Sequence, residues 1–186
     1  TTTQVGGLTA KQIAVLSTAQ VAAMSTSQVA ALSNAQIIAL TTGQVSTLNT
    51  TTLGALTTAQ VGALEVADVA SLTTASMAAL TTTQVGGMTA TQLAGLTTTQ
   101  AAALTTTLVG ALTTTQVGSL STAGVGVLTT TNLAALTTTQ VGGLTAKQIA
   151  VLSTAQVAAM TTSQVAALTN AQVIALTTGQ VSTLNT

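Results

Sequence analysis

Every position divisible by eight, from Leu8 to Leu184, holds Leu or Met without exception. Whatever this chain folds into must therefore give that residue one and the same environment, once per octapeptide. A second apolar residue follows five places later, at Val5, Ile13, Val21 and onward to Val181, with Ala101 the one small substitute. Strict periodicity of this kind belongs to repeat arrays, whose units bury their apolar faces only against neighbouring units. Residues 1–186 read as a single octapeptide-repeat array.

The polar residues of the octad say what each unit is. In Leu152-Ser153-Thr154-Ala155-Gln156-Val157-Ala158-Ala159, Ser153 and Gln156 form the S/T-x-x-E/Q capping box of a helix N-terminus. The hydroxyl accepts from the N–H of the third helical residue, and the Gln side chain accepts from the N–H of the cap. Leu152 and Val157 occupy the two positions of a hydrophobic staple. The cap is Thr or Ser in all full octads except those opening at Asn49, itself a good cap, and Glu65; Asn185 opens the incomplete last one. Gln holds the box position in 17 octads, and Thr52, Asp68, Ser76, Leu108, Gly124 and Asn132 replace it in the others.

One long helix does not fit, because steps of five and three average four residues per turn and drift off the 3.6 period. Repeated Thr pairs and 15 Gly also weaken it. Short helices broken at each Leu meet both objections. Alone they are too short to be stable, so stacking must hold them. The sequence thus predicts an all-α fold, a solenoid or superhelix of short capped helices, one per octapeptide, with Thr, Ser and Gln on its outside. The alternative is a β-solenoid, since Thr and Val favour strands. In a strand from Leu80 to Val85, however, Leu and Val fall on opposite faces and one shares its face with Gln84.

Residues 1–50 recur as residues 137–186 with three changes, Ser25 to Thr161, Ser33 to Thr169 and Ile37 to Val173. The offset is seventeen octads. Because seventeen is odd, a fold built from alternating, non-equivalent octads would place the copies in opposite roles. Their near identity implies that all octads are equivalent.

Composition excludes more than it selects. Lys11, Glu65, Asp68 and Lys147 are the only charged side chains, and there is no aromatic residue, His or Cys. Two distant Lys cannot neutralise a phosphate backbone, and nothing is present to stack on bases, so no nucleic-acid partner is expected. Catalysis lacks its usual reagents, and the hydroxyls have no general base beside them. The sequence accordingly predicts no enzyme, no catalytic residue, no cofactor and no metal site. Glu65 and Asp68 could share a helix face as a weak cation site, but they read better as an acidic variant of the box at a helix N-terminus. Gly6-Gly7, Gly86-Gly87 and Gly142-Gly143 end their octads as helix stops and lack the ending of a phosphate loop. Asn49-Thr50-Thr51 matches an N-glycosylation sequon. The chain is apolar on average, but hydroxyls return in every octad, so no membrane-spanning segment is expected. With no initiator Met, the sequence looks cut from a longer chain.

The pattern L-[ST]-x-x-Q-[VIL]-x-[AG] resembles the octapeptide tracts of very large bacterial secreted and cell-surface proteins, some of them adhesin-like. That resemblance implies an extracellular or cell-surface scaffold without catalytic residues. Leu56-Thr57-Thr58-Ala59-Gln60-Val61 also looks like the opening of a TAL-effector repeat, but the likeness stops there. Taken with near-zero net charge, these features point to a structural stalk or filament-forming adhesin scaffold that associates with itself end to end. The alternative function, tied to the β-solenoid, is a Thr-array that binds ice or another ordered surface.

Overall fold

The computed structural model describes residues 1–184. Among them are twenty-three short helices, one per octad, from α1 (Thr2–Gly6) to α23 (Thr178–Val181). None of the described residues lies in a strand. The all-α solenoid is therefore the fold, and the β-solenoid alternative falls together with the flat Thr ladders that the ice-binding reading required. No helix of the described residues is long and apolar enough to cross a membrane.

Local chemistry sets each boundary. The octad's first residue is the N-cap, in extended conformation, and its side-chain oxygen accepts from the N–H three residues on, as Ser153 does from Gln156 at 3.1 Å. The helix then runs for little more than one turn. It ends where the eighth-position Leu turns its N–H to the fifth-position carbonyl, as Leu112 does to Val109 at 3.2 Å. Leu112 (φ −64°, ψ 141°) and Thr113 (φ −71°, ψ 162°) are then both extended, and the chain changes direction before the next helix.

The helices gather into two compact units, Thr1–Gly95 and Leu96–Thr186. Within each unit every helix packs against the one three octads further on: Thr58–Ala63 against Asn34–Ile38 and Thr82–Gly86 in the first, Ala146–Ala150 against Thr122–Gly126 and Asn170–Ala175 in the second. Three octads thus make one turn, and no octad plays a role different from its neighbours. The fifth- and eighth-position residues fill the interior. Ile13, Ile37, Val85, Leu93 and Ile149 are fully buried, and Leu56, Leu64 and Leu144 nearly so. Each such side chain contributes roughly 1.5–3 kcal/mol of burial, which the isolated one-turn helices could not obtain.

Small residues at the sixth and seventh positions let backbones meet. A Cβ on Gly62 would lie 2.8 Å from the carbonyl oxygen of Gly87, and one on Gly118 would lie 2.7 Å from that of Gly143. Gly87 and Gly143 face Thr58 and Thr114 in the same way, at 2.8 and 2.7 Å from their carbonyl oxygens. This corrects the expectation that the Gly pairs act as helix stops. No described residue has a positive φ, Gly7 and Gly87 close their helices in the ordinary right-handed region, and these octads end as their Ala-bearing neighbours do. Where Gly is required, the reason is close approach.

Candidate functional site

The residue that distinguishes this array is the fourth of the octad. All 17 Gln boxes form with both halves present. At Gln92, Oε1 accepts from Thr89 N at 2.7 Å, while Gln92 N donates to Thr89 Oγ1 at 3.2 Å. The box uses only the oxygen of the amide. Its nitrogen turns the other way and donates to Val61 O at 2.9 Å and Leu64 O at 2.7 Å, 31 and 28 residues earlier. The same pair of offsets recurs at Gln44 with Ile13 and Leu16, at Gln84 with Leu53 and Leu56, and at Gln172 with Val141 and Leu144. One side chain thus caps its own helix and ties it to the end of the helix four octads back.

Because the amide lies between turns, it is buried. Gln44, Gln92 and Gln148 are each about 1% exposed, and no buried side-chain polar atom among the described residues lacks a partner. The expectation that Gln covers the outside is therefore wrong: Thr and Ser lie outside, and Gln lines the interior. A buried amide is costly unless its hydrogen bonds are met, and here the backbone meets them. The sequence held a signal for this. The capping box accepts Glu as readily as Gln, and Glu suits the positive end of a helix better, yet no octad has Glu at that position. Gln in 17 octads against Glu in none is a preference for the amide over the equal-sized acid, which means that its N–H groups have an acceptor.

The octads that lack Gln keep half of the box. The cap still accepts from the third helical N–H at Ser76, Leu108, Gly124 and Asn132, at 3.0–3.2 Å, and Asn49 Oδ1 accepts from both Thr51 N and Thr52 N at 3.0 Å. Only Asn132 among these recovers a link across the turn, donating from Nδ2 to Leu104 O at 2.8 Å. Asn49 of the sequon is exposed, and its side-chain oxygen is engaged as a cap.

The Glu65 and Asp68 pair separates in environment. Glu65 is exposed at the cap, whereas Asp68 occupies the buried glutamine position, accepting from Glu65 N at 3.2 Å and from Thr42 Oγ1 at 3.0 Å. Burial raises the Asp68 pKa above its ordinary value, and these two hydrogen bonds pull the other way. The carboxylate is held by the octad's own box and by one hydroxyl of a neighbouring turn, which is the geometry of a capping variant. Among the described residues no three His, Cys, Asp or Glu side chains cluster. Lys11 and Lys147 are exposed on their helices.

The two copies of the duplicated segment differ in one respect. Gln140, Gln148, Gln156 and Gln164 are buried, but Gln4, Gln12 and Gln20, which have the same neighbours in sequence, are exposed, and Gln28 is half-buried. The first four Gln keep their boxes, and the octads four places before them would lie outside residues 1–186. The converse holds at the other end: Val173 and Val181 are about half exposed, at 50% and 52%, whereas Ile37 and Val45 at the matching places of the first copy are at 0%.

A family model described as the ALTTAQ repeat matches residues 13–42, 37–74, 108–138 and 134–170, which together make up more than half of the chain. The hexapeptide itself stands at Ala55–Gln60. No curated protein and no solved structure matches the chain. With its caps, its staples and its eightfold period accounted for by one repeating unit, the chain belongs to the ALTTAQ repeat family.

Proposed function

We propose that this chain is a non-enzymatic structural segment, an extracellular or cell-surface stalk or filament-forming scaffold, that associates with itself end to end. The observation that carries the reading is the use made of the glutamines. A catalytic or ligand-binding surface directs its polar side chains outward into a concave site, whereas here the largest polar side chains are turned inward onto backbone carbonyls. What remains outside is mostly Thr, Ser and Ala with three charges, Lys11, Glu65 and Lys147, a surface suited to extension and contact. Exposed fifth-position Val at one end, and partly exposed Val5, Leu8 and Leu16 at the other, favour further stacking. A contact between unlike ends does not close and yields a filament. Adhesin-like placement outside the cell rests on the resemblance to secreted octapeptide tracts.

Light scattering and electron microscopy across a concentration series test the assembly. Linear oligomers that lengthen with concentration are expected, and Asp in place of Leu184 or Val181 should shorten them. A chain that stays monomeric at high concentration would refute the filament reading. Labelling of intact cells of the source organism with an antibody to the chain tests placement; labelling only after lysis would refute the surface assignment.

A further inference from the structure

We infer that Thr42 is an acylation site, a hydroxyl nucleophile that takes an acyl group from a thioester or activated ester with Asp68 as its base. Where other Thr and Ser hydroxyls of the chain donate, they donate to amide, backbone or hydroxyl oxygens, as Thr9 does to Gln12 Oε1, Ser46 to Gly43 O and Thr73 to Ser76 Oγ. None of those acceptors takes up a proton near neutral pH. Thr42 differs, because its Oγ1 donates to Asp68 Oδ1 at 3.0 Å. Among the described residues it is the one Ser or Thr hydroxyl that donates to a carboxylate. The pair is 26 residues apart in sequence and is joined by the packing of the helix Thr42–Val45 on Val66–Ser71. The expectation that no hydroxyl has a general base beside it holds within each octad and fails across a turn.

The nucleophile faces out and the base lies beneath it. Asp68 is 1% exposed, whereas Thr42 is exposed and Gly43 next to it has no side chain to cover the hydroxyl. The base is itself oriented, since Oδ2 accepts from Glu65 N at 3.2 Å and Oδ1 is left to Thr42. A nucleophile, a base within hydrogen-bond reach and a third group that orients the base are the parts of an activated hydroxyl. Burial, which raises the Asp68 pKa, makes the ionised carboxylate a stronger base than an exposed Asp. The other helices packed on this pair, Thr18–Ala22 and Ala90–Ala94, carry no charge, so Glu65 is the one further charged group on these elements. Two carboxylates without a cation repel a phosphoryl donor and leave an uncharged acyl carbonyl unopposed. In the step, Thr42 Oγ1 bonds to the carbonyl carbon while its proton passes to Asp68 Oδ1. The adduct collapses, the bond to the thiol or alcohol breaks, and the leaving group takes the proton from Asp68. The product is a Thr42 ester, formed once per chain without turnover and without any change of oxidation state.

The duplicated segment supplies a control. Residues 41–48 and 177–184 are identical, and Thr178 makes no bond to a carboxylate, so Thr178 reports the reactivity of the octad alone. The full chain is incubated with 4-nitrophenyl acetate, and in parallel with a small acetyl thioester, and acetyl groups are located by peptide mass spectrometry. Hydroxylamine, which cleaves esters and spares amides, separates Thr42 from the amines of Lys11, Lys147 and the chain's first residue. Thr42 should acylate about ten-fold or more faster than Thr178. Its rate should rise with pH as Asp68 ionises and then level off. Asp68→Asn should bring Thr42 down to the rate of Thr178 with helical circular dichroism unchanged. Thr42→Ser should retain the ester, and Glu65→Gln should leave the rate within about two-fold, since the backbone N–H that orients Asp68 remains. Acylation of Thr42 no faster than that of Thr178, or undiminished by Asp68→Asn, would overturn the assignment. So would a wild-type rate that is flat between pH 4 and pH 7, a readout that needs no variant to fold.

Discussion

Replacing Gln92 with Glu sets two views of the octad against each other. If the fourth residue only completes a capping box, Glu should be neutral or better, because an anion in the first helical turn gains about 0.3–1 kcal/mol from the helix dipole. The structure requires the reverse. Gln92 is 1% exposed and its Nε2 donates at 2.9 and 2.7 Å to Val61 O and Leu64 O. Glu forfeits two bonds of about 1 kcal/mol each and sets a carboxylate oxygen beside two carbonyl oxygens in a buried site. The total loss at pH 7 is about 3–5 kcal/mol, the size seen when a buried charge loses its partner. The pH dependence has a definite sign. Burial raises the pKa of the new acid in the folded state above its unfolded value of about 4.3. The penalty is therefore absent below that value, grows as pH rises to the folded pKa, and is constant above it; near pH 4 the protonated acid regains one donor. Gln92→Leu should lose stability equally at both pH values. Gln12→Glu should change stability by less than about 0.5 kcal/mol, because Gln12 is exposed. Since repeat arrays open in pieces, urea melts by circular dichroism should be paired with hydrogen exchange over residues 58–95. A Gln92→Glu variant as stable as wild type at pH 7, or equally destabilised at pH 4 and 7, would refute the reasoning.

Glycine substitutions should divide according to what faces them. A Cβ on Gly86 meets nothing within 4 Å, so Gly86→Ala should stabilise by up to about 1 kcal/mol through helix propensity. Gly87→Ala places its Cβ 2.8 Å from Thr58 O and should cost about 1–3 kcal/mol, read by thermal melts. The same distinction should appear within the duplicated sequence, where Gly143→Ala meets Thr114 O at 2.7 Å while Gly7→Ala meets only the carbonyls of its own helix, from 3.3 Å outward. Asp68→Asn should stabilise by about 1 kcal/mol at pH 7, because Asn132 reaches Leu104 O from the equivalent place. The raised Asp68 pKa penalises folding above that pKa and not below the unfolded value, so wild-type stability should climb as pH falls between the two. A pH titration of the melting midpoint should show that climb in the wild type and not in the Asn variant.

The helices and their starts were legible in the sequence because their causes are local. Ser153 and Gln156 stand three residues apart, Leu152 and Val157 five apart, and both relations act within one octad. What spans turns was not legible. Gln92 finds its acceptors 28 and 31 residues away, a separation that an eight-residue period cannot specify, since every multiple of eight repeats the same letters. The number of octads per turn was hidden for the same reason. Gly87 could not be told from Gly86, because the atom that distinguishes them belongs to Thr58. The boundary between Gly95 and Leu96 falls inside an ordinary octad, the one that opens at Thr89, and carries no change of composition. The absence of Glu at the box position was the one signal that pointed beyond the octad.

The duplicated segment allows the share of stability that comes from stacking to be measured without any mutation. Residues 1–24 and 137–160 are identical, so the two copies have the same helix propensities, caps and staples, and the same intrinsic exchange rates once the first residues are set aside. They differ in company. The helix Ala10–Ala14 packs on one neighbour of its kind, Asn34–Ile38, whereas Ala146–Ala150 lies between Thr122–Gly126 and Asn170–Ala175. Gln12 makes only its box, while Gln148 adds bonds to Val117 O at 3.0 Å and Leu120 O at 2.7 Å. Two such bonds, at about 1 kcal/mol each, together with one shared apolar contact, amount to at least about 2 kcal/mol of difference in local opening, or a factor of about thirty in exchange. Hydrogen exchange resolved by residue, at a concentration where the chain is monomeric, should therefore show the amides of Ile13 and Leu16 exchanging faster than those of Ile149 and Leu152 by that order. Equal protection in the two copies would mean that caps and staples hold each octad unaided, and the argument that these one-turn helices exist only through their neighbours would fail.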